Sequence, residues 1–295
     1  IHGQRLNMDR PARSGSGFIG EHGADFLNFN DTWSQTLNQR YDADGSVYII
    51  DWYDKNQCHH NREDGHDRAN GRIYKIVYQN APKTRVDLAA RSTEDLVREV
   101  GSRNEWVSRH ARRLLQERFG AGQSMTKARE VLTRSLRDGK ERNERLRALW
   151  TLAQTGGIPS DATRLAGSDD VLKGWTLQLA AERAATLDWN AGPGRELLST
   201  LKTLAAKDPS PVVRRQVASA LQRIPVEHRW EVLTALLQHA EDASDHNLPQ
   251  LYWMAAEGGA ATDPERALSL LKSCKIPKVR EFIARRLATA SLARN

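Results

Sequence analysis

The sequence predicts a mainly α protein, a stack of amphipathic helix pairs that follows a short β segment. Three observations carry that prediction. From about residue 93 to the C-terminus, apolar residues recur with the 3.6-residue period of a helix buried along one stripe. Helix-start and chain-break signals fall between the stripes. Before residue 80 the period is 2 instead, in a stretch rich in Gly, Asp, Asn and aromatic residues.

Residues 1–80 carry the β signals. Asp44-Gly45 is a turn dipeptide, and the β-branched and aromatic run Ser46-Val47-Tyr48-Ile49-Ile50-Asp51-Trp52 behind it is a strand. A second strand spans Gly71–Tyr78, where Ile73, Lys75 and Val77 alternate with Tyr74, Ile76 and Tyr78. Two strands alone are unstable in water. The expectation is therefore a piece of a β-rich domain whose remaining strands lie outside the chain. The opening Ile1-His2-Gly3, without an initiator Met, points the same way. Residues 81–92, with Pro82, form a polar linker.

The helical stripes follow over 93–295. Val107, Ala111, Leu114 and Leu115 form one, and Leu146, Leu149, Trp150 and Ala153 the next. Leu197, Leu198, Leu201, Leu204 and Ala205 repeat the pattern, as do Val213, Val217, Leu221 and Ile224. Leu233, Leu236, Leu237 and Ala240, then Leu248, Leu251, Tyr252 and Ala255, then Val279, Phe282, Ile283 and Leu287 complete the series. Ser210-Pro211 and Asp263-Pro264 each offer an N-cap followed by proline at the first helical position. Breaks are expected at Gly120-Ala121-Gly122, Gly156-Gly157, Gly192-Pro193-Gly194 and Gly258-Gly259. The helices share a form, Val, then Arg, an apolar or Ala position, then Leu, with Arg109, Arg147, Arg214 and Arg280 recurring at irregular spacing. This resembles HEAT repeats. In that reading the Arg pairs with an Asp or Glu of an adjacent repeat.

Composition narrows the function classes. The net charge of +7 is uneven, with 9 Lys/Arg against 11 Asp/Glu in residues 1–80 and 35 against 26 in the rest. Because Arg is interspersed with Glu and Asp, the basic balance reads as a solvated helical surface, and nucleic acid is not the expected partner. No run of about 18 apolar residues exists, so no transmembrane helix is predicted. Cys58 and Cys274 are too few and too far apart for a disulfide framework.

Residues 31–52, DTWSQTLNQRYDADGSVYIIDW, and 71–78, GRIYKIVY, together resemble the closing propeller blade of PVC-type membrane-bound dehydrogenases. The order of a blade followed by helical repeats matches that family. The resemblance implies a HEAT-like α-solenoid preceded by a terminal β-propeller blade fragment, divided as 1–80, 81–92 and 93–295. It also implies an extracytoplasmic, periplasmic redox protein acting on a sugar or alcohol, with a quinone cofactor and heme c on other domains and none in these residues. The implied partners are the rest of the propeller and a downstream cytochrome domain. The heme motif CxxCH is absent, since Lys55 stands where its first Cys would be relative to Cys58-His59. The enzyme's chemistry is therefore expected elsewhere. The alternatives are a protein-binding HEAT scaffold without catalysis and a basic HEAT-like nucleic-acid module.

The densest polar cluster is Asp51, Asp54, Cys58, His59, His60, His66 and Asp67. Its spacing fits no closed zinc pattern. Asp51, Trp52, Asp54, His59, His66, Asp67 and Arg72 are the candidate substrate- or cofactor-contacting residues, because a loop between strands presents side chains at a propeller face. Asp42-Ala43-Asp44-Gly45 echoes the start of a calcium loop but lacks the later acidic ligand, and reads as a turn. Trp106, Trp150, Trp175, Trp189, Trp230 and Trp253 are expected to fill space between helices.

Overall fold

In the computed structural model, residues 3–56, 65–67, 69–79 and 85–292 are described, with backbone only for 290–292. The protein is mainly helical. Packing divides it into two compact units, Ile1–Ala12 with Ile19–Leu132, and Arg13–Phe18 with Thr133–Asn295.

In the first unit, β1 (Arg5–Leu6) is followed by β2 (Asp9–Ser14) and β3 (Gly17–His22), which pair with each other. The tip of that hairpin, Arg13–Phe18, groups with the second unit. β4 (Leu27–Asn28) returns antiparallel to β1. β5 (Thr36–Tyr41), β6 (Val47–Asp51) and β7 (Arg72–Ile76) make an antiparallel sheet in that order. The two strands expected from the sequence are β6 and β7. β5 escapes notice because Asn38, Gln39 and Arg40 interrupt any apolar alternation, and a register shift falls between Leu37 and Gln39.

The β5–β6 turn is built as its sequence demands. Gly45 takes a φ of 81°, the Asp44 carboxylate accepts from the Ser46 N–H at 2.9 Å, and Asp42 accepts from Ala43 N–H at 2.7 Å. Lys75 Nζ on β7 donates to Asp44 at 2.8 Å and to Asp42 at 3.3 Å. The Lys75 ammonium thus sits where the calcium-like motif would need an ion, and with the Ser46 N–H it holds the Asp44 carboxyl down at about 2.

α1 (Thr93–Glu99) starts at Ser92, whose hydroxyl accepts from Asp95 N–H. α2 (Glu105–Gly120) starts at Asn104, which accepts from Trp106 and Val107 N–H and donates to the Ala43 carbonyl at 2.8 Å. α3 (Thr126–Asp138) runs through the division between the units.

The second unit comprises α4 (Arg142–Gln154), α5 (Ala162–Leu165), α6 (Asp170–Ala181), α7 (Gly192–Lys207), α8 (Pro211–Leu221), α9 (Trp230–Leu236), α10 (Leu248–Thr262), α11 (Pro264–Ser273) and α12 (Pro277–Leu292). Helices α4, α6, α8, α10 and α12 pack on one another in succession. So do α7, α9 and α11, in a second row against the first. Leu177, Val213, Val217, Leu221, Leu233, Leu236, Tyr252 and Ile276 form the core between the rows. Ser210 and Asp263 cap α8 and α11, as the sequence predicts. Aromatic pairs join neighbouring helices, with Trp150 edge-on to Trp175 at 5.1 Å and Trp253 against Phe282 at 5.5 Å.

One expected break falls at a helix start, and one is not a break. Gly192-Pro193-Gly194 opens α7, where proline suits the first turn and a Cβ on Gly194 would strike the Asp188 carbonyl. Gly258-Gly259 lies inside α10. The reason is packing, since a Cβ on Gly259 would stand 2.9 Å from Trp230 Cζ2. The close approach of Trp230 outweighs the helix cost of glycine, about 1 kcal/mol. Gly259→Val is accordingly expected to lower stability by about 1–3 kcal/mol through overpacking, read as a shift of the denaturant midpoint at unchanged slope.

Candidate functional site

The site is the end of β6 and the loop that follows, within the first unit. β6 alternates, with Ile49 and Asp51 buried and Tyr48 and Ile50 exposed on the other face. A carboxylate buried at the end of a strand needs partners. Asp51 has three: Oδ1 accepts from Gln35 N–H at 2.7 Å and Tyr53 N–H at 3.0 Å, and Oδ2 from the Ser34 hydroxyl at 3.0 Å. The Tyr53 bond holds that residue at a φ of 45°, a sparsely populated conformation for an aromatic residue. The Tyr53 ring lies under the Arg72 guanidinium, whose carbon is 3.4 Å from the ring centroid, and beside Trp33 at 5.8 Å.

Asp54 is fully buried. Its carboxylate accepts from Asp67 N–H at 3.0 Å, Asn56 N–H at 3.2 Å and His66 Nδ1 at 3.0 Å. Its carbonyl accepts from Gln35 Nε2 at 2.7 Å. Burial pushes the Asp54 carboxyl up, but the Asp67 and Asn56 N–H groups and His66 outweigh it and bring it down to about 2. The carboxylate also selects the Nδ1-protonated tautomer of His66.

Of the seven candidate residues, Asp54, His66 and Asp67 therefore meet, through Asp54. Asp51 joins them through Gln35, which bonds both aspartates' segments. Arg72 stacks on Tyr53, while Trp52 is half-exposed beside the cluster. His59, like Cys58 and His60, lies outside the described residues. Among the described residues, no group of three or more His, Cys, Asp or Glu side chains is placed to hold a metal ion. Asp51 and Asp54 spend their oxygens on main-chain N–H groups, a hydroxyl and one histidine. They build the loop and present a surface of Trp33, Tyr53 and Arg72. Tyr53 and Trp33 were legible only as aromatic residues, since nothing in the spacing announces the left-handed Tyr53.

Because its contribution arises from a depressed carboxyl, the Asp54 cluster is acid-sensitive in one direction. The stabilisation is complete above the ordinary carboxyl range, near pH 4, and is lost as pH falls toward about 2. Wild type is expected to lose stability faster than Asp54→Asn between about pH 4 and pH 2, by up to roughly one proton in the linkage slope. Urea melts followed by tryptophan fluorescence across that window measure it.

A second polar cluster lies in the helical unit. The Arg214 guanidinium on α8 donates to Asp242 from Nε at 2.7 Å and from Nη2 at 2.5 Å, and from Nη1 to the Asp208 carbonyl at 3.1 Å. Tyr252 Oη on α10 donates to Asp242 at 2.7 Å, and burial, then Asp242, drives the Tyr252 hydroxyl far up. The same theme joins Lys173 to Asp208 at 2.6 Å and Arg142 to Asp169 at 2.6 Å. Of the recurrent arginines expected to pair with an acid of an adjacent repeat, Arg214 pairs with Asp242, in the segment between α9 and α10. Asp242 was missed because it lies in a 3₁₀ turn with no helical stripe around it. A cleft of about 670 Å³ between α7, α9 and α11 is lined by Arg195, Lys202, Trp230 and Arg266.

No protein-family model matches the chain, and no curated protein matches it. Among solved structures, the crystal structure of an engineered protein from the Northeast Structural Genomics Consortium is similar to it over 68% of this chain and 97% of that chain, at 17% identity and a TM-score of 0.40.

Proposed function

We propose that this chain is a structural part of an extracytoplasmic redox protein of the PVC-type dehydrogenase kind. In this reading, β5–β7 are the closing blade of a β-propeller and the later helices a HEAT-like α-solenoid that serves as scaffold. The observation that carries it is one face of the sheet. Leu37, Ile50 and Ile73 align in register across the three strands, and all are exposed, at 38%, 46% and 73%. An apolar row on a small sheet calls for a second sheet packed against it, at about 10 Å. A neighbouring blade supplies that. The repeat reading is supported by the two helix rows and the acid–base links between successive helices.

The candidate residues have no catalytic role in this reading. Quinone and heme c, as the resemblance implies them, belong to other domains, as do the propeller and cytochrome partners. Dye-linked oxidation of a panel of sugars and alcohols tests it, comparing this chain with the polypeptide of its full reading frame loaded with quinone and heme. Turnover by the full polypeptide and none by this chain is expected. Turnover by this chain alone, or none by the loaded full polypeptide, overturns it.

A protein-binding scaffold is the second reading, favoured because the helical unit already holds a peptide segment, the hairpin tip Arg13–Phe18. The nucleic-acid reading is disfavoured by the interspersion of Arg with Asp and Glu along the helices, several of which are paired, as in Arg214–Asp242, Lys173–Asp208 and Arg142–Asp169.

A further inference from the structure

The hairpin tip is held by the helical unit more closely than a surface turn requires. Gly15 and Ser16 form a two-residue turn between β2 and β3, with Gly15 at a φ of 52° in the first position. Ser16 is fully buried, and every polar group it carries is satisfied by the helices. Its N–H donates to Asp245 Oδ2 at 2.7 Å and its hydroxyl to Asp245 Oδ1 at 2.8 Å. Its carbonyl accepts from Arg215 Nη1 at 2.6 Å, and its Oγ accepts from Asn247 Nδ2 at 3.2 Å.

Asp245 is itself fixed. It accepts from Asn247 and Leu248 N–H at 2.9 and 3.0 Å, at the start of α10. The fit demands glycine at position 15, which also has a left-handed φ, and leaves little room at position 17. A Cβ on Gly15 would collide with the Asp245 carboxylate, and one on Gly17 would stand 2.8 Å from His246 Nε2 and 2.9 Å from Asn247 Nδ2. Three residues before Ser16, Arg13 donates to Asp170 at the start of α6 at 2.9 Å. Ser210, the cap of α8, donates to the same aspartate at 2.8 Å. An open groove of about 430 Å³ continues beside the tip, lined by Pro209, Pro211, Glu241 and Ser244.

We propose that the groove where α6, α8 and α10 begin is a recognition site for a peptide turn of the form Arg–x–Gly–Ser–Gly, filled in cis by residues 13–17 and able to take the same turn in trans. The carboxylate of Asp245 reads the serine through its N–H and hydroxyl together. Asp170 reads the arginine, the left-handed φ and the lack of space at position 15 select glycine, and the His246 and Asn247 side chains favour a small residue at position 17. The cis turn holds the site by its high effective concentration, so a free peptide competes poorly until the tip is displaced. This inference stands on the helical unit alone and does not depend on the redox reading.

The test uses the full chain and a fluorescein-labelled peptide of residues 10–19, followed by anisotropy. Gly15→Val/Gly17→Val displaces the tip by bulk. The peptide is expected to bind this variant at least tenfold more tightly than wild type, and adding Asp245→Ala is expected to abolish that binding. Binding to neither chain, equal binding to both, or binding that survives Asp245→Ala overturns the proposal. If circular dichroism shows that the valines cost the helical fold, Arg13→Ala/Ser16→Ala, which adds no bulk, takes their place with the same expected and overturning results.

Discussion

Arg214→Ala is expected to destabilise the helical unit by about 3–5 kcal/mol, a large share of a typical domain's stability. The size follows from what is left behind. Arg214 and Asp242 are each only 3% exposed at the side chain, so truncating the arginine strands a buried carboxylate with Tyr252 as its main remaining donor. The Asp208 carbonyl at the end of α7 loses a donor as well. Tyr252→Phe removes one hydrogen bond to the same charged carboxylate, leaves the Arg214 pair in place, and is expected to cost about 1.5–3 kcal/mol. Replacing Arg214 and Asp242 together by leucine is expected to recover much of the loss, because no charge is then buried alone. Denaturant melts of the three variants check the ordering. A single Arg214→Ala cost under about 1 kcal/mol would mean that the pair is solvated in solution.

Asp51→Ala is expected to cost roughly 3 kcal/mol in the first unit, since it orphans the N–H groups of Gln35 and Tyr53 and the Ser34 hydroxyl together. Asp51→Asn is the discriminating variant. Both N–H groups bond the same oxygen, Oδ1, which asparagine keeps, and its amide can donate to Ser34 Oγ on the other side. Its cost is expected to be near 1 kcal/mol. Hydrogen exchange at the Tyr53 amide, fast in Asp51→Ala and slow in Asp51→Asn, locates the effect. Equal losses for the two variants would assign Asp51 a role in charge rather than in hydrogen bonding.

Much of the helical region could be read from the sequence because its helices bury stripes, and a buried stripe is visible as periodicity. Val213, Val217 and Leu221 lie where the 3.6 period puts them, and Ser210-Pro211 marks the start of α8. Gly258-Gly259 misled because glycine signals both a chain break and a close approach, and only the position of Trp230 decides between them. β6 and β7 were legible from β-branched and aromatic alternation, whereas β5 was not, because its side chains are mostly exposed and polar. At the candidate site the sequence picks out the residues but not their hydrogen-bond partners. Asp51 and Asp54 stand out as carboxylates near histidines; each also accepts from the N–H two residues on, as an Asx turn does, but the bonds to Gln35, Ser34 and Asp67 join positions that no local spacing connects. The Ser16–Asp245 contact joins residues far apart in the chain, and nothing local to either position encodes it.

In the proposed reading, β5–β7 form the closing blade of a β-propeller. Sequencing the full transcript that carries this chain tests it most directly. Further blade-like segments are expected upstream, each with an Asp-Gly turn followed by a β-branched strand, in one open frame with Ile1. A frame with no such β segments before residue 1 would contradict it.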